Sequence, residues 1–310
     1  MLSVIVPVWN REKLVIRCLD SILSQTVVPD EIIVVDNDSS DQTYKKVEEW
    51  INIHRRGKVE IKLLKETKKG ACFARQKGLE NASGEYLIFF DSDDEMYPSL
   101  IEKVKNKIQQ NPDADIICWK VKIKMLDGKT KVPPFSTTDP IENHLIHTLL
   151  RPQGHILKKR FLEQCGGWKK PIKVWDDLEL GMRLLINKPK VSYIPEILAL
   201  IYSQEESITG RDFSSKAGEW ESILEVMENE MDLHPNDSQR RIKRILNYRR
   251  AILAAHYYRE GNREAAEKLF KETTKGKTIM ERTLLNFAYK YTGWGYRGAW
   301  RILGKFKFYR

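Results

Sequence analysis

Four short stretches gather oxygen-bearing side chains behind apolar runs: "PVWNRE" (7–12), "DNDSSDQT" (36–43), "DSDDE" (91–95) and "WDDLE" (175–179). Carboxylates crowded into one crevice repel each other unless a cation or hydrogen-bond donors compensate them. Asp91, Asp93 and Asp94 follow "YLIFF" and suit a hard divalent cation, Mg2+ or Mn2+, which takes one or two carboxylates and fills its shell with phosphates. Asp and Ser also favour turns and helix caps, so a lone D-x-D is more often a surface turn. Three acids behind one apolar run weigh against that reading. Asp177 has its own bland explanation, an acid favoured by the dipole at a helix N-terminus.

The elements that must position these side chains follow from periodicity. "LSVIVPV", "EIIVVD", "VEIKLL" and "EYLIFFD" read as strands, and the amphipathic stretches 12–25, 42–54 and 71–81 as helices. Strands alternating with helices predict an α/β fold with a mostly parallel, Rossmann-like central sheet flanked by helices. Ligands in such sheets bind beyond the carboxyl ends of the strands, where the first three acidic or polar stretches fall. "ADIICWKVKIKMLDGKTKV" reads as an antiparallel addition turning at Asp127-Gly128. "VWDDLELGMRLLI" reads as a helix with Leu178, Met182 and Leu185 on one stripe, and "KVSYIP" and "EILALIYS" as two further strands.

After about residue 212 the strand signals stop. The stretches 214–231, 237–259 and 262–273 read as helices, with "DLHPNDS" as a turn and cap. Two parts are therefore expected, 1–212 and a basic helical region, 213–310. Within the second, "AILAAHYYREGNREAAEKLFKE" resembles a single tetratricopeptide-type hairpin; one copy is a cap and not a repeat array.

The net charge is +10, but residues 240–310 hold 19 Lys/Arg against 5 Asp/Glu, leaving the first 239 residues acidic. The tail "YKYTGWGYRGAWRILGKFKFYR" interleaves aromatics with cations, which suits an anionic membrane surface or a cap helix on the first part. No nucleic-acid module is present, so no nucleic-acid partner is expected. Four widely spaced cysteines without a C-x-x-C pair and no signal-like leader predict reduced thiols and a cytoplasmic protein, peripheral on the membrane at most. The absence of G-x-G-x-x-G and of G-x-x-x-x-G-K-[ST] disfavours dinucleotide dehydrogenases and P-loop NTPases. His144 and His147, three residues apart on an expected helix, are partnered by no acidic ligand and read as surface histidines.

Three segments, 3–43, 68–98 and 166–185, together resemble the family 2 glycosyltransferases of the GT-A fold, over about residues 1–205. The resemblance implies a nucleotide-sugar donor and a glycan or lipid-linked acceptor in cell-surface polysaccharide synthesis. It implies that Pro7 and Asn10 line the nucleotide pocket and that Asp36 and Asn37 meet uracil and ribose. Arg75 would approach base or diphosphate. Asp91 and Asp94 would contact ribose and donor, and Asp93, with Asp91, would hold the metal. Asp176 would stand for the Glu of an acidic pair whose second member, Asp177, is the catalytic base of an inverting transfer. A nucleotidyltransferase would need a Gly-rich basic loop after the first strand, which "PVWNREK" is not; a non-catalytic homologue would not need Asp93, Asp94 and Asp177 intact.

The sequence departs from the family pattern in three places. Asn37 stands where a second Asp is usual, Asp38 where Gly is common, and "YSQEES" (202–207) where Y-R-x-H is frequent. Uracil presents a single N3–H between carbonyls, whereas guanine presents two adjacent donors that suit a carboxylate; an Asn therefore favours a UDP-sugar. Asp tolerates the left-handed backbone that Gly would supply at position 38.

Overall fold

A computed structural model describes residues 1–55, 57–169, 171–204, 213–233, 239–296, 298, 299 and 302. The chain runs β1 (Leu2–Val8), α1 (Val15–Leu23), β2 (Glu31–Asp36), α2 (Thr43–His54), β3 (Glu60–Lys65), α3 (Ala71–Asn81), β4 (Tyr86–Phe89), β5 (Glu95–Met96) and α4 (Leu100–Gln110). It continues through β6 (Ile116–Lys124), β7 (Thr130–Lys131), α5 (Pro140–His147), β8 (His155–Lys158), α6 (Lys159–Gln164), α7 (Asp176–Ile186) and β9 (Val191–Tyr202). Among the described residues every element after Tyr202 is helical: α8 (Ala217–Leu233), α9 (Gln239–Arg259), α10 (Arg263–Thr274) and α11 (Ile279–Gly293), with a short 3-10 turn before α8.

One sheet carries the strands in the order β3-β2-β1-β4-β8-β6-β9-β5, with β7 paired to β6. The strands β3, β2, β1 and β4 are parallel, as the βαβ alternation predicts. β1, β2 and β4 are buried along their whole length, which explains their unbroken apolar runs. Helices cover both faces, giving separate clusters around Val4, Val6, Ile32 and Ile88 on one side and Ile5, Ile33, Leu87 and Phe89 on the other.

Two strand expectations change. The antiparallel hairpin turning at Asp127-Gly128 forms, but its second strand is only the two-residue β7, and β6 lies inside the sheet, antiparallel to β8 and parallel to β9. The two strands expected at 190–203 are one, β9, whose register against β6 jumps from Ile194 to Ile197 opposite Trp119 and Lys120. Pro195 sits in that bulge, where its missing N–H costs no ladder hydrogen bond.

His144 is also a correction, because it is fully buried. Its Nδ1 accepts the Leu150 N–H (3.1 Å) and its Nε2–H donates to the Leu178 carbonyl (3.0 Å), so the ring is neutral. Burial pushes its pKa down to about 3. A Cβ on Gly181 would stand 2.2 Å from the ring, so only glycine leaves room for it on α7. His147 is half-buried.

A third core joins α5 and α7 to the C-terminal helices through Leu145, Leu178, Met182, Trp220, Leu224 and Ile245, among others. The α9–α10 hairpin turns at Gly261 (φ 89°), and Ala251, Ala254, Ala255 and Ala266 are buried in it. Within "DLHPNDS" residues 234–238, and within the tail residues 297, 300, 301 and 303–310, lie outside the described residues, as do 205–207 of "YSQEES". Among the described residues no helix is long and apolar enough to cross a membrane.

Candidate active site

The carboxyl ends of β1, β2 and β4 open into one cavity of about 1260 Å³. That exceeds the ~300–1,000 Å³ of an ordinary small-ligand cleft and leaves room for two substrates. Pro7, Asn37, Arg75, Asp91, Asp93, Asp94, Asp176 and Asp177 all line it. Asn10 and Asp36 do not. Asn10 Oδ1 instead accepts the Ser40 N–H (2.8 Å), from a left-handed residue (φ 50°), and so ties the end of β1 to the loop after β2. Asp36 is buried at the end of β2; its Oδ2 accepts the Ser39 N–H (3.1 Å) and its Oδ1 has no partner. Asp38 takes the left-handed backbone expected of it (φ 59°).

Asn37 is held more tightly than its sequence position suggests. Its Nδ2 donates to the carbonyls of Glu66 (3.0 Å) and Lys68 (2.7 Å), and its Oδ1 accepts the Gly70 N–H (2.8 Å). Both amide donors are spent on the 66–70 loop, and one lone pair of Oδ1 is left. The side chain can therefore offer a ligand an acceptor and no donor.

The acidic turn after β4 is organised by donors from three other elements. Asp91 Oδ1 accepts from Arg75 Nη2 (2.9 Å) on α3, and Asp91 Oδ2 from Gln153 Nε2 (2.6 Å). The same Gln153 amide reaches Asp94 Oδ2 (2.6 Å), while Asp94 Oδ1 accepts the Tyr202 N–H (2.8 Å) at the end of β9. Asp93 is held by neither; it meets Arg11 Nε at 3.5 Å. Burial first, then the charges of Asp93 and Asp91, push the Asp94 carboxyl well above the usual range. Burial and Asp91 likewise raise Asp93, against the pull of Arg11.

Across the cavity, α7 begins at Asp176. Arg75 Nη1 donates to Asp176 Oδ2, so one buried guanidinium spans both acidic elements, with its face over Trp168 (4.7 Å). Asp177 follows, its Oδ1 accepting the Leu178 N–H (2.8 Å). Burial first and the charge of Asp176 next push its carboxyl up to about 6, while Arg75 and Arg151 pull the other way. A carboxylate with a pKa there is suited to general-base work near neutrality. Trp175, just before it, has a left-handed backbone (φ 50°, ψ 33°), a strained conformation for a bulky residue.

Sequence reasoning missed Arg11, Arg151, Gln153 and Tyr202, all of which line the cavity. Gln153 carries no local signal: it lies between Pro152 and Gly154 in a 3-10 turn, and only the pairing of β8 beside β4 brings it to Asp91. The far wall was missed too. It comes from the helical region, through Ile252, His256, Arg259 and Glu260 of α9 and its end, and Thr292 and Tyr296 at the end of α11.

A family model described as glycosyl transferase family 2 matches residues 3–165. The chain belongs to glycosyl transferase family 2. The family match takes in the acidic turn 91–94 and Gln153 and stops short of Asp176 and Asp177. An uncharacterized glycosyltransferase of Haemophilus influenzae is 30% identical over 195 residues, which is 60% of this chain and 62% of the relative. The chain thus spans less than two thirds of that relative's length. S. aureus TarS 1-349, solved in complex with UDP-GlcNAc, superposes with a TM-score of 0.66 at 19% identity, covering 98% of this chain and 91% of its own. The mannosyltransferase PcManGT from Pyrobaculum calidifontis, solved with GDP-Man and Mn2+, gives a TM-score of 0.55 at 18% identity, over 99% of this chain and 84% of its own. The family match and these likenesses establish the GT-A fold with a helical C-terminal segment.

Proposed function

We propose that this chain is an inverting glycosyltransferase that moves a sugar from a nucleoside-diphosphate sugar, UDP-linked, to a glycan or lipid-linked acceptor in cell-surface polysaccharide synthesis. The observation that carries the proposal is a single cavity in which the acidic turn 91–94 and the raised carboxyl of Asp177 face the same space. Residues 1–212 form the catalytic part on this reading, and 213–310 close the acceptor side.

Asp177 takes the proton of the attacking acceptor hydroxyl. The new C1–O bond forms as the bond from C1 to the diphosphate breaks, and the nucleoside diphosphate leaves with the bonding pair. Attack opposite the leaving group inverts C1. Arg75 does not need to touch the donor for this: its role is to hold Asp91 and Asp176 in register, so that base and donor site keep a fixed relation.

Asn37 supports the uridine reading in a narrower way than its amide alone would suggest. Its remaining acceptor matches the one N3–H of uracil, and it has no donor left for a carbonyl. TarS, bound to UDP-GlcNAc, supports the same base, whereas PcManGT was captured with GDP-Man.

Among the described residues no three acidic, His or Cys side chains converge as a ready-made metal cage. The donor set nevertheless fits a divalent ion that arrives with the nucleotide: Asp93 is the carboxylate not held by Arg75 or Gln153, and phosphate oxygens would complete the shell. Such an ion would stabilise negative charge developing on the leaving diphosphate. The Mn2+ in PcManGT supports its use. A screen of UDP- and GDP-sugars for nucleoside diphosphate release, with Mg2+, Mn2+ or EDTA, tests the proposal. UDP release that needs the cation is expected; release from GDP-sugars alone would overturn the uridine assignment.

A further inference from the structure

The basic, aromatic C-terminal region is only partly used by the cavity, and α11 has two unlike faces. A capping box of Thr278 and Glu281 starts the helix. Leu285, Ala288 and Thr292 are buried in the core shared with α9. On the other side Ile279 is 85% exposed, Met280 68%, Phe287 44% and Trp294, which caps the helix, 72%. At 3.6 residues per turn these four fall within an arc of about 100°, opposite the buried residues. Other exposed apolar residues, such as Val27, Ile53 and Leu126, are scattered over separate elements. Single exposed apolar residues need no explanation, but a stripe along one helix does.

Charge selects the occupant. Arg282 and Lys290 are exposed on the same side of α11, and neither has a carboxylate partner among the described residues. The helix has one acid, Glu281, which is spent on the capping box and on Arg244 (3.2 Å). Residues 240–310 as a whole hold 19 Lys/Arg against 5 Asp/Glu. A second copy of the face would bring Arg282 and Lys290 against their own images. An anionic bilayer leaflet satisfies both the apolar stripe and the cations.

We infer that α11 lies flat on an anionic leaflet, with Ile279, Met280, Phe287 and Trp294 seated at the headgroup boundary. Thr292 and Tyr296, from the buried side and the end of the same helix, line the cavity. The leaflet therefore meets the protein beside the acceptor wall, so that a lipid-linked acceptor reaches Asp177 without leaving the membrane; this last step rests on the transferase reading.

Flotation of the full chain with vesicles tests the docking without reference to activity. Binding is expected to vesicles of equal parts phosphatidylglycerol and phosphatidylcholine at low salt, and not to phosphatidylcholine alone. The triple variant Ile279→Ser, Phe287→Ser, Trp294→Ser should lose about tenfold or more of the bound fraction, with its melting temperature and nucleotide binding unchanged. Three results overturn the inference: no flotation of the unaltered chain, equal flotation of the variant, or a concentration-dependent dimer that ignores vesicles and that the variant abolishes. Flotation that persists while no nucleotide sugar supports transfer by the unaltered chain would sink the transferase reading alone.

Discussion

Arg75 Nη2 donates to Asp91 Oδ1 at 2.9 Å, from a guanidinium that is almost wholly buried. The other arm of the same group holds Asp176, far along the chain at the start of α7. The bond between Arg75 and Asp91 is thus half of a clamp between the acidic turn 91–94 and the helix that carries Asp177.

Removing the clamp should cost stability before it costs chemistry. Arg75→Ala leaves two carboxylates without their buried cation, a loss of ~3–5 kcal/mol in denaturant unfolding. Arg75→Lys keeps the charge but lacks the fork that reaches both acids, so it should fall between the two. Equal stability of all three proteins would mean that the clamp holds nothing together.

The raised carboxyl of Asp177 sets a pH profile. Only the carboxylate accepts a proton, so the transfer rate at saturating substrates should fall about tenfold per unit below a pKa of about 6 and level off above it. For stability the sign is opposite. The folded-state value lies above the ordinary 3.8, so folding holds this proton more tightly than the unfolded chain does. The stabilisation from that proton is fully present below the ordinary value and is lost as pH rises through about 6. A rate that stays flat down to pH 5 would remove Asp177 from the base role.

Trp175 joins the helical region to the start of α7, where Asp177 lies. Its ring meets Trp220 of α8 edge-on at 4.7 Å, and the Arg249 guanidinium of α9 lies 5.3 Å over it. Those contacts hold a left-handed backbone directly before Asp176 and Asp177. Trp220 is fully buried and does not line the cavity. Trp220→Phe should therefore lower kcat about tenfold, through misplacement of the base, while the donor KM stays nearly unchanged. A change in donor KM with kcat preserved would place the effect on the nucleotide side instead.

Much of the sheet-bearing part was legible because its signals are local. β1, β2 and β4 are buried on both faces, so their apolar runs stand out, and the acids that follow them must emerge at one sheet edge. What the sequence hid depends on contacts between distant segments. Gln153 reaches Asp91 and Asp94 only because β8 inserts antiparallel between β4 and β6. His144 looked like a surface residue because its partners, Leu150 N–H and Leu178 C=O, and its space beside Gly181 come from the chain after it. Asn37 was readable as a side chain at the strand end that faces the cavity; that its donors belong to the 66–70 loop was not. The far wall of the cavity was invisible for the same reason, since helices α9 and α11 have no motif pointing at it.

The most direct test compares Asp177→Asn with the unaltered protein in two assays on one preparation. Sugar transfer to acceptor is measured beside nucleotide binding by titration calorimetry. Loss of about a thousandfold or more in transfer, with nucleotide affinity within about twofold, is the expected result for a base that acts on the acceptor hydroxyl alone. Normal transfer by the Asn variant would contradict it.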